Sequence, residues 1–326
     1  MKVSIITPVY GVEKFIEKCA ISLFSQTYEN CEFIFVNDYT KDNSITLLKE
    51  VMQKFPHRIE NIKIINHEIN KGLACARNTG VKASVGDFIM HVDSDDTIEP
   101  NTVELCVKKA IEDNADAVIF GIRHVEKHKN TIEHVSIPTN HQDYIKQLIT
   151  RDSLVCMCCG LYKRSLYIDN NIWAIPGLNM GEDYSTKPRL LYYAKKVVAL
   201  DLPLYVYNHL NEYSYTKDFN ANCINHLQKA IAVLKSFFSI CEDSNSYEDS
   251  IKTASLSSKV LLLKSWANTK STIQDFDKIK SLYNDIDIKY INSPIDKFLL
   301  LLTAKNQSTL VKIIIRIGIK IKSFFK

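Results

Sequence analysis

The chain has 326 residues, about twice the usual size of one domain, and its 46% hydrophobic and 24% charged content with only 9 Gly and 8 Pro excludes disordered and collagen-like classes. No apolar run approaches the ~20 residues of a bilayer span. The net charge of +4 is unevenly placed: Lys305, Lys312, Arg316, Lys320, Lys322 and Lys326 occupy residues 304–326 without one Asp or Glu, and removing those six leaves the remainder at −2. Charge so placed excludes a nucleic-acid binder with a basic folded body.

In chain order, β-branched and aromatic runs predict strands over Lys2–Thr7, Glu32–Asn37, Ile62–Asn66, Asp87–Val92 and Ala117–Gly121. Helical spacing predicts helices between them, over Val12–Ser25, Asp42–Phe55, Leu73–Ala83 and Asn101–Asp113. Four crossovers in a row predict a doubly wound α/β sheet, with ligands beyond the carboxyl ends of its strands. Further on, Thr131–Ile137 reads as a strand, Gln142–Thr150 as a helix, and Val197–Leu200 and Leu204–Tyr207 as short strands around Pro203. Beyond residue 220 the chain reads as helices over Ile224–Ile240, Ser255–Trp266, Phe276–Ile286 and Phe298–Ala304. The apolar run Val3–Val9 is broken by Pro8 and followed by Glu13 and Lys14, so no signal peptide and a cytosolic location are expected.

The nine cysteines, an odd number in a long chain, predict reduced thiols that pack in the core. Cys156 and Cys159 form a lone C-x-x-C with no second pair to complete a zinc site. No two glycines are spaced G-x-G and no G-x-x-x-x-G-K-S/T occurs, so no Gly-rich loop cradles phosphate. His124 and His128 lack the H-E-x-x-H order and read as surface residues.

The sharpest local signal is Asp93-Ser94-Asp95-Asp96, directly after the apolar run Phe88–Val92. Three carboxylates within four residues repel each other unless a cation neutralises them, and hard oxygen ligands suit Mg²⁺ or Mn²⁺ bridging substrate phosphates. The competing reading is an ordinary acidic turn, which needs only one Asp or Asn. A metal on diphosphate oxygens is what departure of a nucleotide from a sugar requires.

At this point the sequence resembles a family 2 glycosyltransferase of the GT-A fold. Val3–Tyr10 is similar to its opening strand, Phe35-Val36-Asn37-Asp38 to its second strand, and Asn70–Ala74 with Ala76-Arg77-Asn78 and Gly80 to its next helix start. Asp93–Asp96 is similar to its D-x-D motif, Gly160–Arg164 to an acceptor-side segment, and Gly181-Glu182-Asp183-Tyr184 to its E-D motif. Tyr205–Tyr207 and Ser214–Thr216 resemble the segment that closes the catalytic domain, so the likeness covers roughly residues 1–216.

The resemblance implies a mixed doubly wound sheet with a C-terminal helical extension: a catalytic domain over 1–218, a helical region over 219–303 and a basic amphipathic tail over 304–326. It implies that Thr7, Pro8, Tyr10 and Asp38 surround the nucleotide base, Asp38 taking the imide N–H of uracil, and that Lys71 contacts base or phosphate. The alternative for Lys71 is a solvated helix cap. Where the family commonly has Asp-Asp-Gly-Ser, this chain has Asn37-Asp38-Tyr39-Thr40, which leaves that loop's shape open. Asp93 is placed at ribose or metal, Ser94 among the contacts to the nucleotide sugar, Asp95 and Asp96 at the metal, and His209 as a further ligand or a structural histidine. Asp183 is implied as the base that deprotonates the acceptor hydroxyl, giving inversion, with Glu182 orienting the acceptor or serving as an acidic first turn. Trp173 stacks on an acceptor sugar or packs in the core, and Cys156–Cys159 reads as strand or wall beneath the acceptor.

The expected activity is metal-dependent transfer of a hexosyl or N-acetylhexosaminyl group from a UDP-sugar to a glycan or lipid-linked glycan of bacterial surface polysaccharide. Alternatives are a sugar nucleotidyltransferase, whose usual Gly-rich basic N-terminal loop is not matched by Tyr10-Gly11-Val12-Glu13, and a catalytically silent glycan-binding scaffold. On a helix, the basic residues of 304–326 oppose Ile313, Ile314, Ile317, Ile321, Phe324 and Phe325. This favours peripheral contact with anionic lipid at the inner face of the cell membrane. A partner or homodimer contact and an edge strand are the other readings.

Overall fold

The computed structural model describes residues 1–127, 129–211, 221–269 and 272–324, with residue 221 and residues 319–324 described by backbone alone. The chain divides into two compact units, Met1–Leu148 with Ser153–Tyr213, and Ile149–Asp152 with Ser214–Lys326. The expected boundary at 218, the Ser214–Thr216 segment and His128 lie outside the described residues.

Strands β1 (Val3–Val9), β2 (Cys31–Asn37), β3 (Ile62–Asn66) and β4 (Phe88–His91) alternate with helices α1 (Ile16–Phe24), α2 (Ser44–Gln53) and α3 (Leu73–Ala83). β1 pairs in parallel with β2 and β4, and β2 with β3. Every residue of β1 is buried, as expected for a strand with both faces covered, which is why its sequence is apolar on both faces apart from Ser4 and Thr7 and not a strict alternation. α1 buries Ile16, Cys19, Ala20, Leu23 and Phe24, one stripe at helical spacing. Phe24 sits edge-on to Phe33, Phe35 and Phe55 in the largest core cluster.

The second half of the sheet is mixed. After β5 (Thr97–Ile98) and α4 (Thr102–Glu112) come β6 (Ala117–Val125), β7 (Asn130–Glu133), α5 (His141–Thr150), β8 (Gly160–Lys163), α6 (Arg164–Ile168), α7 (Glu182–Tyr192) and β9 (Val197–Asn208). The order is β3-β2-β1-β4-β8-β6-β9-β5, with β7 attached to β6. β8 is wedged antiparallel between β4 and β6. It begins only at Gly160, so Cys156–Cys159, expected as strand or wall, forms the turn leading into it. The two short strands expected around Pro203 are one strand: its register against β6 shifts on both sides of Gly121, and the irregularity absorbs the proline.

The second unit is helical, with α8 (Ala221–Phe238), α9 (Glu248–Asn268), α10 (Ile273–Ser281), α11 (Pro294–Ala304) and α12 (Ser308–Phe324). Its core joins Leu256, Val260, Leu263 and Trp266 of α9 to Leu299 and Leu300 of α11 and Val311 and Ile315 of α12. The C-terminal segment is therefore a helix through Phe324 and not an edge strand.

Candidate active site

The acidic turn lies just past the carboxyl end of β4, where Asp96 N–H closes it on the Asp93 carbonyl at 3.1 Å. Tyr205 from β9 holds both ends: its hydroxyl accepts from Asp93 N–H at 3.2 Å and donates to Asp96 Oδ2 at 2.6 Å. Asn208 N–H donates to the other oxygen, Asp96 Oδ1, at 2.7 Å. Asp96 is thus 2% exposed with both oxygens engaged by the protein, which gives it the work of shaping the turn. Asp95 Oδ2 accepts from Asn211 Nδ2 at 2.8 Å, while burial and the charge of Asp93 raise its pKa. Ser94 is buried between them.

Arg77 joins this turn to the acidic pair at the start of α7. The side chain is 5% exposed and reaches from α3 to Asp93 at 2.9 Å and Glu182 at 2.9 Å, and also to Asp183. Gly181, at φ 84°, takes the left-handed turn that starts α7 and places both acids in its first turn. The other oxygen of Asp183 accepts from Met157 N–H at 3.0 Å, so the cysteine-bearing turn serves as a backbone clamp on this acid. Burial raises the Glu182 pKa to about 7 against the pull of Arg77. Asp183 is raised well above the carboxylate range by burial, again opposed by Arg77 and reinforced by Glu182. Burial works against the Arg77 charge too, but Asp183 and Asp93 overcome it and hold the guanidinium protonated.

Beside them, burial pushes His91 down to about 3, so it is neutral at ordinary pH. Its Nε2 lies 3.0 Å from the Tyr167 hydroxyl. Arg77, His91, Tyr167 and Asp183 border a cavity of about 10 Å³, room for one water.

The expected nucleotide end is built at β1, β2 and the start of α3. The carboxylate of Asp38, 4% exposed, accepts from Lys71 N–H at 2.8 Å and Gly72 N–H at 2.7 Å, and its Oδ1 lies 2.7 Å from His67 Nδ1. Oδ2 has a single protein donor, leaving acceptor capacity for one more. Lys71 contributes its backbone here while its side chain is exposed. Thr7 is buried with its hydroxyl unpartnered, Pro8 is buried, and Tyr10 is 53% exposed at the end of β1. Tyr39 adopts φ 62°, the left-handed conformation a glycine takes readily, so the loop forms without the usual Gly at a local cost of about 1–2 kcal/mol. The Lys41 ammonium sits 3.5 Å from its ring centroid.

The sequence places His67 just past a strand and Arg77 within the Ala76-Arg77-Asn78 match but gives neither a role. Arg77 falls on the face of α3 that carries Ala74, Gly80 and Val81, all buried, and an arginine on an apolar helix face signals a buried counter-charge. Of the four expected metal ligands, His209 Nε2 lies 2.9 Å from His124 Nδ1, whose Nε2 meets Glu133 at 3.0 Å. Among the described residues no three His, Cys, Asp or Glu side chains converge as a ready cage. Trp173 is half-buried, with Lys82 5.2 Å from its ring centroid, so it is not a core residue.

The chain matches the family model "Glycosyl transferase family 2" over residues 4–170. It is 33% identical to "Glycosyltransferase GlyA" of Streptococcus pneumoniae over 220 residues, 63% of this chain but 30% of the length of that protein. It is 30% identical to "Uncharacterized glycosyltransferase EpsJ" of Bacillus subtilis over 247 residues, 72% of this chain and 69% of that one. Among solved structures, S. aureus TarS 1-349 in complex with UDP-GlcNAc superposes with a TM-score of 0.76 over 96% of this chain and 90% of that one, at 17% identity, a likeness of fold. An acidic turn and an acidic helix start at the carboxyl edge of a GT-A sheet, together with a family match across half its length, make this chain a member of glycosyl transferase family 2.

Proposed function

We propose that the chain is an inverting, metal-dependent glycosyltransferase that moves a sugar from a UDP-sugar to a hydroxyl of a surface glycan. The observation that carries this reading is Arg77, which ties Asp93 of the metal motif to Glu182 and Asp183. Donor and acceptor chemistry would then meet at one point. The UDP-GlcNAc complex of the TarS neighbour supports the choice of donor class.

Three carboxylates, those of Asp93, Glu182 and Asp183, share one guanidinium, and in the adjoining turn burial raises the proton affinity of Asp95 and Asp96, reinforced by Asp93 on both and by Asp95 on Asp96. This donor set of hard oxygens with unbalanced negative charge fits Mg²⁺ or Mn²⁺ held by Asp93 and Asp95 together with substrate phosphates. When bound, such an ion supplies charge neutralisation to the departing diphosphate. Asp38, with one open acceptor position on Oδ2, would take the uracil imide N–H, and Tyr10 is exposed beside it. Asp183 would accept the proton of the acceptor hydroxyl as its oxygen bonds to the anomeric carbon and the bond from that carbon to the diphosphate oxygen breaks on the opposite side. A carboxylate whose burial raises its proton affinity is a stronger base than one in water. Arg77 would oppose that rise and aim the carboxylate, and Glu182 would fix Arg77 from the other side.

The test is binding and turnover of a panel of nucleotide sugars with Mn²⁺ or EDTA, on wild type, Asp95→Ala and Asp183→Asn. The expected result is metal-dependent binding of a UDP-sugar, lost in Asp95→Ala, while Asp183→Asn binds but turns over about 10²–10⁴-fold more slowly. Failure of every nucleotide sugar to bind with either metal would sink the proposal.

A further inference from the structure

We propose that the solvent-facing sides of α11 and α12 form a docking surface for an anionic phospholipid bilayer. The proposal does not depend on the transfer chemistry. On α11, Ile295, Phe298 and Leu301 are 65%, 51% and 45% exposed, and on α12, Leu310, Ile313 and Ile317 are 45%, 47% and 52% exposed. Spacings of three and four residues put each trio on one side of its helix. Neither trio is the core face, because Leu299, Leu300 and Thr303 of α11 and Val311 and Ile315 of α12 point inward. The six residues are large, apolar and unpartnered, which folded surfaces rarely tolerate without a use.

The structure revises the pattern read from the sequence. The apolar residues of α12 do not make one face: Val311 and Ile315 fasten the helix to α9, while Ile313 and Ile317 look outward. Lys312 and Arg316 lie between those two sides on the helical wheel. They line a groove of about 370 Å³ with Trp266, Ile273, Ser308, Thr309 and Ile313. Arg316 is fixed there by donation from Nε to the Ala267 carbonyl at 2.9 Å, and the Lys312 ammonium lies 4.9 Å from the Trp266 ring centroid.

Charge selects the occupant. From Lys297 to Lys326 the sequence has no Asp or Glu, and the acid just before, Asp296, is paired with Lys264 at 2.7 Å. An aliphatic ridge whose own stretch of chain from residue 297 onward carries cations and no acids matches a layer that is apolar at depth and negative at its surface, with lipid phosphates meeting Lys312 and Arg316 as the ridge enters the acyl region. A protein partner would need an apolar patch ringed with acids.

The experiment is flotation of the purified full chain with vesicles of phosphatidylcholine alone or with 30% phosphatidylglycerol, at low and high salt. We expect about tenfold more bound protein on the anionic vesicles, falling several-fold in high salt. Ile313→Glu with Ile317→Glu, and separately Phe298→Glu on the other helix, should each reduce binding about tenfold or more with unchanged melting. Lys312→Gln should lower anionic binding only. Equal binding to both vesicle types, or none, overturns the proposal. So does a concentration-dependent dimer in sedimentation that Ile313→Glu dissolves, because the ridge would then be covered by a second copy.

Discussion

Replacing Arg77 with Met tests whether the candidate active site is held together by one buried cation. The substitution preserves most of the side-chain volume and strands Asp93, Glu182 and Asp183 without their shared partner. Breaking a buried ion pair from one side costs about 3–5 kcal/mol, a large fraction of the ~5–15 kcal/mol that keeps a domain folded. With a urea dependence of about 2 kcal/mol per molar, the midpoint should fall by about 2 M. The chain has two tryptophans, Trp173 in the first unit and Trp266 in the second, so a Trp266→Phe background leaves fluorescence that reports on the catalytic unit alone. The sign with pH is fixed by linkage. Without Arg77 the folded pKa values of Glu182 and Asp183 rise further, so both acids stay neutral in the folded chain; that costs little near pH 5, where the unfolded carboxylates are still partly protonated, and progressively more towards pH 8, where the unfolded chain ionises freely. The deficit should therefore be small at pH 5, large at pH 8, and at least half recovered by adding Glu182→Gln and Asp183→Asn. A deficit below about 1 kcal/mol, or one that does not change with pH, would refute the reasoning.

Three other outcomes follow from the same geometry. Tyr205→Phe removes the hydroxyl that spans the acidic turn and should cost about 1–3 kcal/mol in urea unfolding and weaken Mn²⁺-dependent nucleotide binding about 10–100-fold in calorimetry; intact metal affinity would show that the turn holds its own shape. Glu182 has its pKa raised to about 7, so the stability it contributes when neutral is complete below about pH 4.5 and is lost as pH rises through 7, an effect on the order of 3 kcal/mol. Glu182→Gln should flatten that part of the stability profile, and an unchanged slope between pH 5 and 8 counts against the raised pKa. In Gly80→Ala the new methyl would lie 2.3 Å from Ile6 Cγ2, pushing α3 off β1 at a cost of about 1–3 kcal/mol. Activity should fall with it because α3 carries Arg77, and Ile6→Ala, which removes Cγ2, should restore part of the activity; wild-type melting would show that the helix does not sit so close.

Much of the sheet was legible because its first half obeys simple periodicities. Ile62–Asn66 and Leu73–Ala83 form over the residues expected, since a β-branched run and a 3.6-residue stripe bounded by Gly leave little choice. β8 escaped notice because its four residues, Gly160–Lys163, are too short to show a period, and its antiparallel insertion depends on partners 70 residues away in β4. The acidic turn and the Glu182-Asp183 pair stand out in the sequence as unusual local charge. Arg77 does not, because a single arginine on a helix usually meets water, and only the tertiary fold shows that three carboxylates converge on it. The C-terminal amphipathicity was visible, but not which of its two apolar sides faces the core, since periodicity gives angles and not partners.

The closeness of Gly72 to Asn179 links loops that are distant in sequence. A Cβ at Gly72 would lie 2.4 Å from Asn179 Oδ1, so the loop that Asp38 grips fits directly against the segment entering α7. Five residues beyond Gly72, about 7.5 Å along the same helix, Arg77 grips Asp183. The two recognition ends are thus parts of one rigid lever, and neither can be reshaped alone. An engineer who widens the proposed nucleotide pocket by moving the 70–72 loop will also move Asp183, the proposed base, so altered donor preference should arrive with altered turnover unless Asn179 is changed at the same time.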